Sequence, residues 1–328
     1  MRFLLAVLSL LLLGGCAKSN GPVRLYFISS GRFTSGSRTG VGPGDTLATR
    51  IYVDANPTST SSATSTSKNT LAQFLVQVQY SPLRTPFVYP FPLATFSYSS
   101  LPKDSPITYL DSTLTSRPTD FLYTSVFGTR TTSGSETWTF TATDKDGNMS
   151  VRSFTLAVRR ADSTQVFHDY TLNLPAVANN VAARRFIDLR AGQAYPRYSV
   201  ANPQVQQFVD LVLLPDGQRL ASPDDPAVKL TTWAAPRHHT TFRLTTLTAI
   251  TFTSTQDTTA IHQAFIDAGA AANTTLLDKL AFDQVYAFNA LNPADKTRPY
   301  FGLIHVQNLP TGTTAGLQLQ VRLAKQPR

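Results

Sequence analysis

The chain has 328 residues, 42% of them hydrophobic and 15% charged, with a formal net charge of +9. That much apolar material supports a sizeable core, and a single cysteine excludes an internal disulfide. The 29 Lys and Arg residues are scattered, with no run longer than Arg159-Arg160 or Arg184-Arg185 and no RNA-binding aromatic signature, so nucleic acid is excluded as a partner and a solvated basic surface is expected.

Met1-Arg2 form a short positive start, and Phe3 to Leu13 an apolar run broken only by Ser9. At ~1.5 Å per residue such a run reaches about half of a ~30 Å hydrocarbon core, which suits a signal peptide better than a span. It ends in Leu13-Gly14-Gly15-Cys16, which resembles the lipobox of bacterial lipoproteins. The resemblance implies a signal peptide over 1–15, cleavage before Cys16, and a thioether diacylglycerol with an amide-linked acyl chain on that cysteine. At about 0.8 kcal/mol per buried methylene, two or three such chains attach the protein to a membrane permanently. The following Ala17-Lys18-Ser19-Asn20 lacks an Asp directly after the cysteine, so an outer-membrane address is expected, with the periplasmic and extracellular faces both open. Residues 16–22 are read as the tether.

Residues 23–160 read as β-structure. Only one of the 20 acidic residues, Glu136, is a glutamate, while Ser and Thr abound, a mix that favours strands and polar turns. Val23, Leu25 and Phe27 alternate with polar neighbours, Gly40 to Asp45 is a turn cluster, and Leu47 to Val53 resumes a strand. Thr58 to Asn69 is Ser/Thr-rich and is expected to be an exposed loop. Ala72, Phe74, Val76, Val78 and Tyr80 mark one face at period two, and Pro82 to Pro106 is proline-broken, an irregular edge or long connection. In Glu136 to Val158, the residues Trp138, Phe140 and Ala142 point one way and Thr137, Thr139 and Thr141 the other. Asp144 to Asn148 turns the chain, and Phe154, Leu156 and Val158 return with the same period. The segments W-T-F-T-A-T-D-K-D-G-N and G-V-G-P-G-D-T-L resemble those of bacterial immunoglobulin-like domains, which implies a two-sheet sandwich. That fold hosts many functions.

Residues 165–328 mix signals. Phe208 to Leu214 and Thr240 to Thr246 are candidate strands, Thr258 to Ala272 carries Ile261, Phe265 and Ile266 at helical spacing, and Leu276 to Phe282 is a candidate extension of that helical part. Three late strands are expected at Gln284–Asn289, Tyr300–Val306 and Gly316–Leu323. The fold class is therefore mainly β: an immunoglobulin-like sandwich followed by an α+β domain with little helix. The segments F-V-D-L-V, L-A-S-P, V-Y-A-F and Y-F-G-L-I-H-V, together with the first half and the lipobox, resemble uncharacterised Bacteroidota envelope lipoproteins, a family to which we attach no activity.

The chemistry is thin. His168, His238, His239, His262 and His305 show no zinc-ligand spacing, and no cofactor is implied. Asp144, Asp146 and Asn148 cluster oxygens as calcium prefers, yet no glutamate follows at the needed spacing and Asp-Gly is itself a preferred turn. Gly36 to Gly40 is not a nucleophile elbow, and Ser65-x-x-Lys68 sits in a Ser/Thr tract where such a match arises by chance. Asp104, Asp111, Asp120 and Asp210 are candidate carboxylates, but nothing selects a pair. Thr46, Ser112, Ser163 and Thr258 each follow an aspartate in a pattern resembling Bacteroidota O-glycosylation sites, a pairing that also suits turns and caps. Tyr89, Phe91, Phe96 and Tyr98 form either a stacking platform or part of the sandwich cover. The expected function is a non-enzymatic binding, adhesive or structural module of the envelope, with the membrane and a surface glycan or protein as partners. The alternative is a glycan or peptide hydrolase with an acidic site in the second half, which would need a pocket where carboxylates or a Ser/His pair converge.

Overall fold

A computed structural model describes residues 22–55, 69–86, 88, 102–159, 165–175, 181–230, 233–234, 236–292, 295–310 and 316–325. Cys16, Ser65, Lys68, Tyr89, Phe91, Phe96, Tyr98 and Ser163 lie outside these residues. Strands make up 49% of the chain and helix 10%, so the protein is mainly β.

The first half is a two-sheet sandwich. One sheet has the order β1 (Arg24–Phe27), β3 (Thr46–Asp54), β6 (Asp120–Gly128). The other runs β2 (Arg38–Val41), β8 (Met149–Val158), β7 (Gly134–Asp144), β4 (Leu71–Ser81), β5 (Ile107–Thr113). The chain crosses between sheets as it goes from β1 to β2 to β3 to β4, and again from β5 to β6 to β7. Alternation in the sequence becomes burial: Phe74, Val76, Val78 and Tyr80 of β4 face inward, as do Trp138, Phe140 and Ala142 of β7. Across the sandwich Phe27 meets Phe140 and Phe154 at 5.5 Å between ring centres, and Phe127 meets Trp138 at 4.3 Å. Such ring pairs each add about 0.5–1.5 kcal/mol beyond their buried area.

The second half contains two further antiparallel sheets. The middle sheet has the order β11 (Gln193–Pro196), β10 (Arg184–Asp188), β12 (Leu211–Leu213), β13 (Leu220–Ala221), β15 (Leu276–Leu277). The outer sheet runs β14 (His239–Leu244), β16 (Val285–Asn292), β17 (Asp295–Asn308), β18 (Leu317–Ala324), β9 (Phe167–Leu174). Their facing sides bury Ile187, Leu211, Leu213 and Leu220 against Tyr170, Phe288, Ile304 and Leu319. Helices α3 (Ala249–Ser254) and α4 (Thr258–Asp267) cover the far side of the outer sheet, with Phe252, Ile261 and Phe265 packed on Val285, Ala287 and Leu303.

The middle sheet sends side chains into a core on each of its faces. Phe186, Val212 and Ala221 point away from the second sandwich and join the core of the first, together with Tyr195, Val200 and Val205. One-turn helices α1 (Arg197–Val200) and α2 (Pro203–Gln206) lie against β5. There the Gln204 side chain accepts from the Thr108 amide at 3.3 Å and donates to the Pro106 carbonyl at 3.0 Å, and Tyr198 packs on Tyr109. The free edge of β5 is thereby covered.

Two segments differ from expectation. Leu276 to Phe282 is no helix extension: Leu276 and Leu277 form β15, paired with β13, and Leu277 and Leu280 fill the second core. The helix stops at Asp267, and Gly269, at φ 79°, turns the chain away into the short 3-10 segment Ala270–Ala272. Of Phe208 to Leu214 only Leu211–Leu213 pairs as a strand, the preceding residues closing the turn after α2.

Gly302 on β17 lies opposite Phe288 on β16, whose ring covers the missing side chain. A Cβ there would stand 2.5 Å from Phe288 Cε1 and 2.8 Å from the Arg322 carbonyl. Gly302→Ala is expected to cost about 1–3 kcal/mol by overpacking. An unchanged thermal midpoint would contradict this.

Candidate ligand-binding cleft

The face of the middle sheet that points away from the second sandwich is not wholly covered. Two hollows of about 250 and 310 Å³ open beside it and share Phe186 and Leu230 in their walls. The first is walled further by Tyr198, Val200 and Trp233, the second by Val212, Leu214 and Val228. Phe186 and Val212 reach it by strand alternation, since Ile187 and Leu211 point to the opposite core. Tyr198 and Val200 come from α1, and the chain enters α2 through an Asn202 cap that accepts from Gln204 N at 2.9 Å, with Pro203 at the first helical position.

The wall formed by residues 223–230 and 233–234 is held by side-chain hydrogen bonds. Asp225 accepts from Ala227 N at 2.8 Å and from the Thr275 hydroxyl at 2.5 Å. Arg237 donates to the Leu230 carbonyl at 2.8 Å and to that of Pro223 at 3.2 Å. Gln206 accepts from Ala234 N at 2.9 Å and donates to the Val200 carbonyl at 2.9 Å, which ties the segment carrying Trp233 to α1.

The rim is basic. Arg197 lines the first hollow; Arg185, Arg219 and Lys229 line the second, where Asp216 is paired with Arg219. The Arg185 guanidinium is lowered from its ordinary range by burial and, secondly, by the charge of Arg197. Two buried donors at the cleft, Trp233 Nε1 and Arg185 Nε, have no acceptor among the described residues.

The acidic residues converge elsewhere. Asp188 and Asp210, 4% and 1% exposed, lie between the halves. Asp188 accepts from Ala191 N at 3.0 Å and stands 3.3 Å from Arg84 Nη1. Burial pushes its carboxyl up, against the pull of Arg84. Asp210 accepts from Leu189 N at 2.8 Å and meets His238 Nδ1 at 2.5 Å. Ser222 Oγ bonds the His238 carbonyl, Asp224 and the Thr240 amide, not the imidazole. Among the described residues this set contains no contact between a nucleophile and a base: Asp188 is engaged by Ala191 N and Arg84, Asp210 by Leu189 N and His238 Nδ1, and His238 Nε2 is buried without a partner.

The other sequence candidates are dispersed. Asp104 joins Arg84 at 3.7 Å, while Asp111 accepts from Gln73 at 2.7 Å on β5 and Asp120 starts β6. His239 pairs with Asp224, His305 with Asp283, His168 with Thr131, and His262 packs on Phe301. Asp144 Oδ1 accepts from Asp146 N at 2.9 Å and Asn148 N at 2.8 Å, while Oδ2 takes the amides of Asn69 and Asn148. Burial raises the Asp144 carboxyl, but these four donors outweigh it and hold it below its ordinary value, closing the β7–β8 turn. Asp146 faces Lys145 at 2.8 Å, and among the described residues no three of His, Cys, Asp and Glu gather as metal ligands. Thr46 is exposed at the start of β3, Ser112 half-buried on β5, and Thr258 follows Asp257, which caps α4 by accepting from Ala260 N at 2.6 Å. Sequence reading missed Phe186, Arg185, Arg197 and Trp233. The available signal was a tryptophan in a segment with no strand or helix period, next to Pro236-Arg237.

No family model and no curated protein matches the chain. Among solved structures it is similar to a DUF4466 family protein from Parabacteroides merdae, at 10% identity and TM-score 0.31 over 93% of this chain and 99% of that one. It is also similar to Spo0M, a sporulation control protein from Bacillus subtilis, at 10% identity and TM-score 0.25 over 61% of this chain and 77% of that one. Likeness at this level adds nothing to the reading of the site. Among the described residues no helix is long and apolar enough to cross a membrane.

Proposed function

We propose that the protein is a lipid-anchored envelope module that binds a ligand in the cleft of its second half without turning it over. The observation that carries this reading is the pair of adjoining hollows that share Phe186 and Leu230, apolar in their walls and held by the hydrogen bonds of Asp225, Arg237 and Gln206. The engagement of Asp188 with Ala191 N and Arg84, and of Asp210 with Leu189 N and His238, with no nucleophile against them among the described residues, favours binding over the hydrolytic alternative. The anchor follows from the lipobox resemblance around Cys16, and the sandwich then serves as the spacer between membrane and cleft.

Two measurements test the two parts. Cys16→Ser is expected to move the protein from the membrane fraction to the soluble one, and an unchanged distribution contradicts the anchor. For the cleft, the wild type and Leu230→Trp, which fills it, are melted with a panel of envelope glycans, short peptides and small organic acids. At one hundred times its dissociation constant a ligand stabilises by about 2.7 kcal/mol. At least one class is expected to raise the wild-type midpoint and leave the variant unmoved; a panel in which none does overturns the binding reading.

A further inference from the structure

We propose that the open side of β6 docks a second molecule of this chain, the two strands running antiparallel about a two-fold axis at Leu122. This surface lies on the first sandwich and does not involve the cleft.

β6 ends its sheet, and its bonds to β3 fix which residues face outward. The Thr119 carbonyl accepts from Ala55 N, and Thr129 N donates to the Asp45 carbonyl, both at 2.9 Å, so the odd-numbered residues bond to β3. By antiparallel alternation Asp120, Leu122, Thr124 and Val126 aim their amides and carbonyls the other way, where they meet no backbone partner among the described residues. Their side chains share the outer face of the sheet, Leu122 54% and Val126 47% exposed.

Charge selects the occupant. Asp120 contacts the Thr119 hydroxyl at 3.5 Å, while Arg50 donates to the Thr124 hydroxyl at 3.2 Å and lies 4.3 Å over the Phe33 ring. Neither forms an ion pair among the described residues. The far end of β6 is already occupied by Arg184 of the second half, which lies over Gly128 and reaches Thr46 Oγ1 at 3.3 Å. Pairing about Leu122 keeps clear of that end. It sets Leu122 against Leu122 and each Asp120 against the opposite Thr124, with Cβ atoms about 4.5–5.5 Å apart on one face. Arg50, already on Thr124, then receives the incoming carboxylate, and the two-fold repeats the contact. Pairing about Tyr123 would set Asp120 against Val126 and leave both charges unmatched. A patch that complements itself in this way closes into a dimer and stops there.

The chain carrying Cys16→Ser has no thiol left to form a disulfide dimer. The interface is small and of the transient class, so sedimentation equilibrium is run up to about 1 mM and is expected to show monomer and dimer with nothing larger. Asp120→Arg and Arg50→Asp each set like charges opposite one another twice, and each is expected to weaken the dimer at least about tenfold. An equimolar mixture of the two variants is expected to recover pairing, since every cation then meets an acid. Should Arg50→Asp disturb the fold, Leu122→Lys, at an exposed position on the axis, is expected to abolish the dimer. A short bis-maleimide is expected to link Leu122→Cys to its counterpart and to leave Val126→Cys, well off the axis, unlinked.

A chain that stays monomeric throughout overturns the proposal. So does a dimer untouched by Asp120→Arg and Leu122→Lys, which would use another surface. Linking of Val126→Cys as efficient as that of Leu122→Cys overturns the pairing.

Discussion

Replacing Arg84 by alanine is expected to destabilise the protein by about 3–5 kcal/mol, the range for removing one partner of a buried ion pair. Arg84 is 4% exposed and follows β4, yet its guanidinium works across the junction. It faces Asp188 of β10 at 3.3 Å, bonds the Tyr195 hydroxyl of β11, reaches Asp104 at 3.7 Å and lies 3.6 Å over the Phe208 ring. Burial works to deprotonate it, and Tyr195, Asp188, Tyr80 and Asp104 together outweigh that, so its charge is retained. Truncation leaves Asp188 buried without its cation. Arg84→Met keeps most of the stem and still strands the charge, so it should cost nearly as much. Combining it with Asp188→Asn should recover part of the loss. Guanidinium unfolding of the wild type, Arg84→Met, Asp188→Asn and the double variant closes the cycle, and a loss below about 1 kcal/mol for Arg84→Ala would show that the network does not hold the halves together.

The second large effect is on pH. Glu136 sits in the first core and accepts from the Trp138 indole at 2.9 Å and from the Arg130 amide. Burial pushes its carboxyl up to about 7 from an ordinary 4.5, against those two donors. Between these values the unfolded chain releases a proton that the folded chain keeps. The stability contributed below pH 4.5 therefore drains away as pH rises and is gone above about 7, a loss of roughly 3 kcal/mol. Glu136→Gln is expected to flatten that slope and to be the more stable protein at pH 8, with little advantage at pH 4. Urea midpoints measured across this window decide it; a wild type that gains stability from pH 5 to 7 relative to Glu136→Gln sinks the argument. Asp188, also raised by burial, bends the curve the same way in both proteins.

How much was legible follows from where alternation survives. β4 and the β7–β8 hairpin each bury one face, so Phe74 to Tyr80 and Trp138 to Val158 announce themselves at period two. The middle sheet loses that signal because each of its faces feeds a core: Leu211 and Leu213 serve one and Val212 the other, in a strand of three residues. Its strands, of two to five residues, are too short to be told from loop or helix by pattern. The cleft inherits this opacity. Phe186, Arg197, Leu230 and Trp233 come from a strand, a single helical turn and an aperiodic segment, joined only by long-range packing. Asp210 was visible as a carboxylate, but its partners His238 and Leu189 N are set by tertiary structure. The Asp144 turn read correctly as a turn because its hydrogen bonds are mostly local.

Gln204 and Tyr198 do more than pack. Gln204 takes up an edge amide and carbonyl beside a strand belonging to the other half of the chain, and Tyr198 covers Tyr109 next to them. A polypeptide cut off just after β8 would leave Thr108 N and Pro106 O without those partners and lay Tyr109 open to water. Such a row of unused donors and acceptors recruits further copies of itself. Expressed alone, the first sandwich should be prone to self-association, and the second half acts as its built-in chaperone.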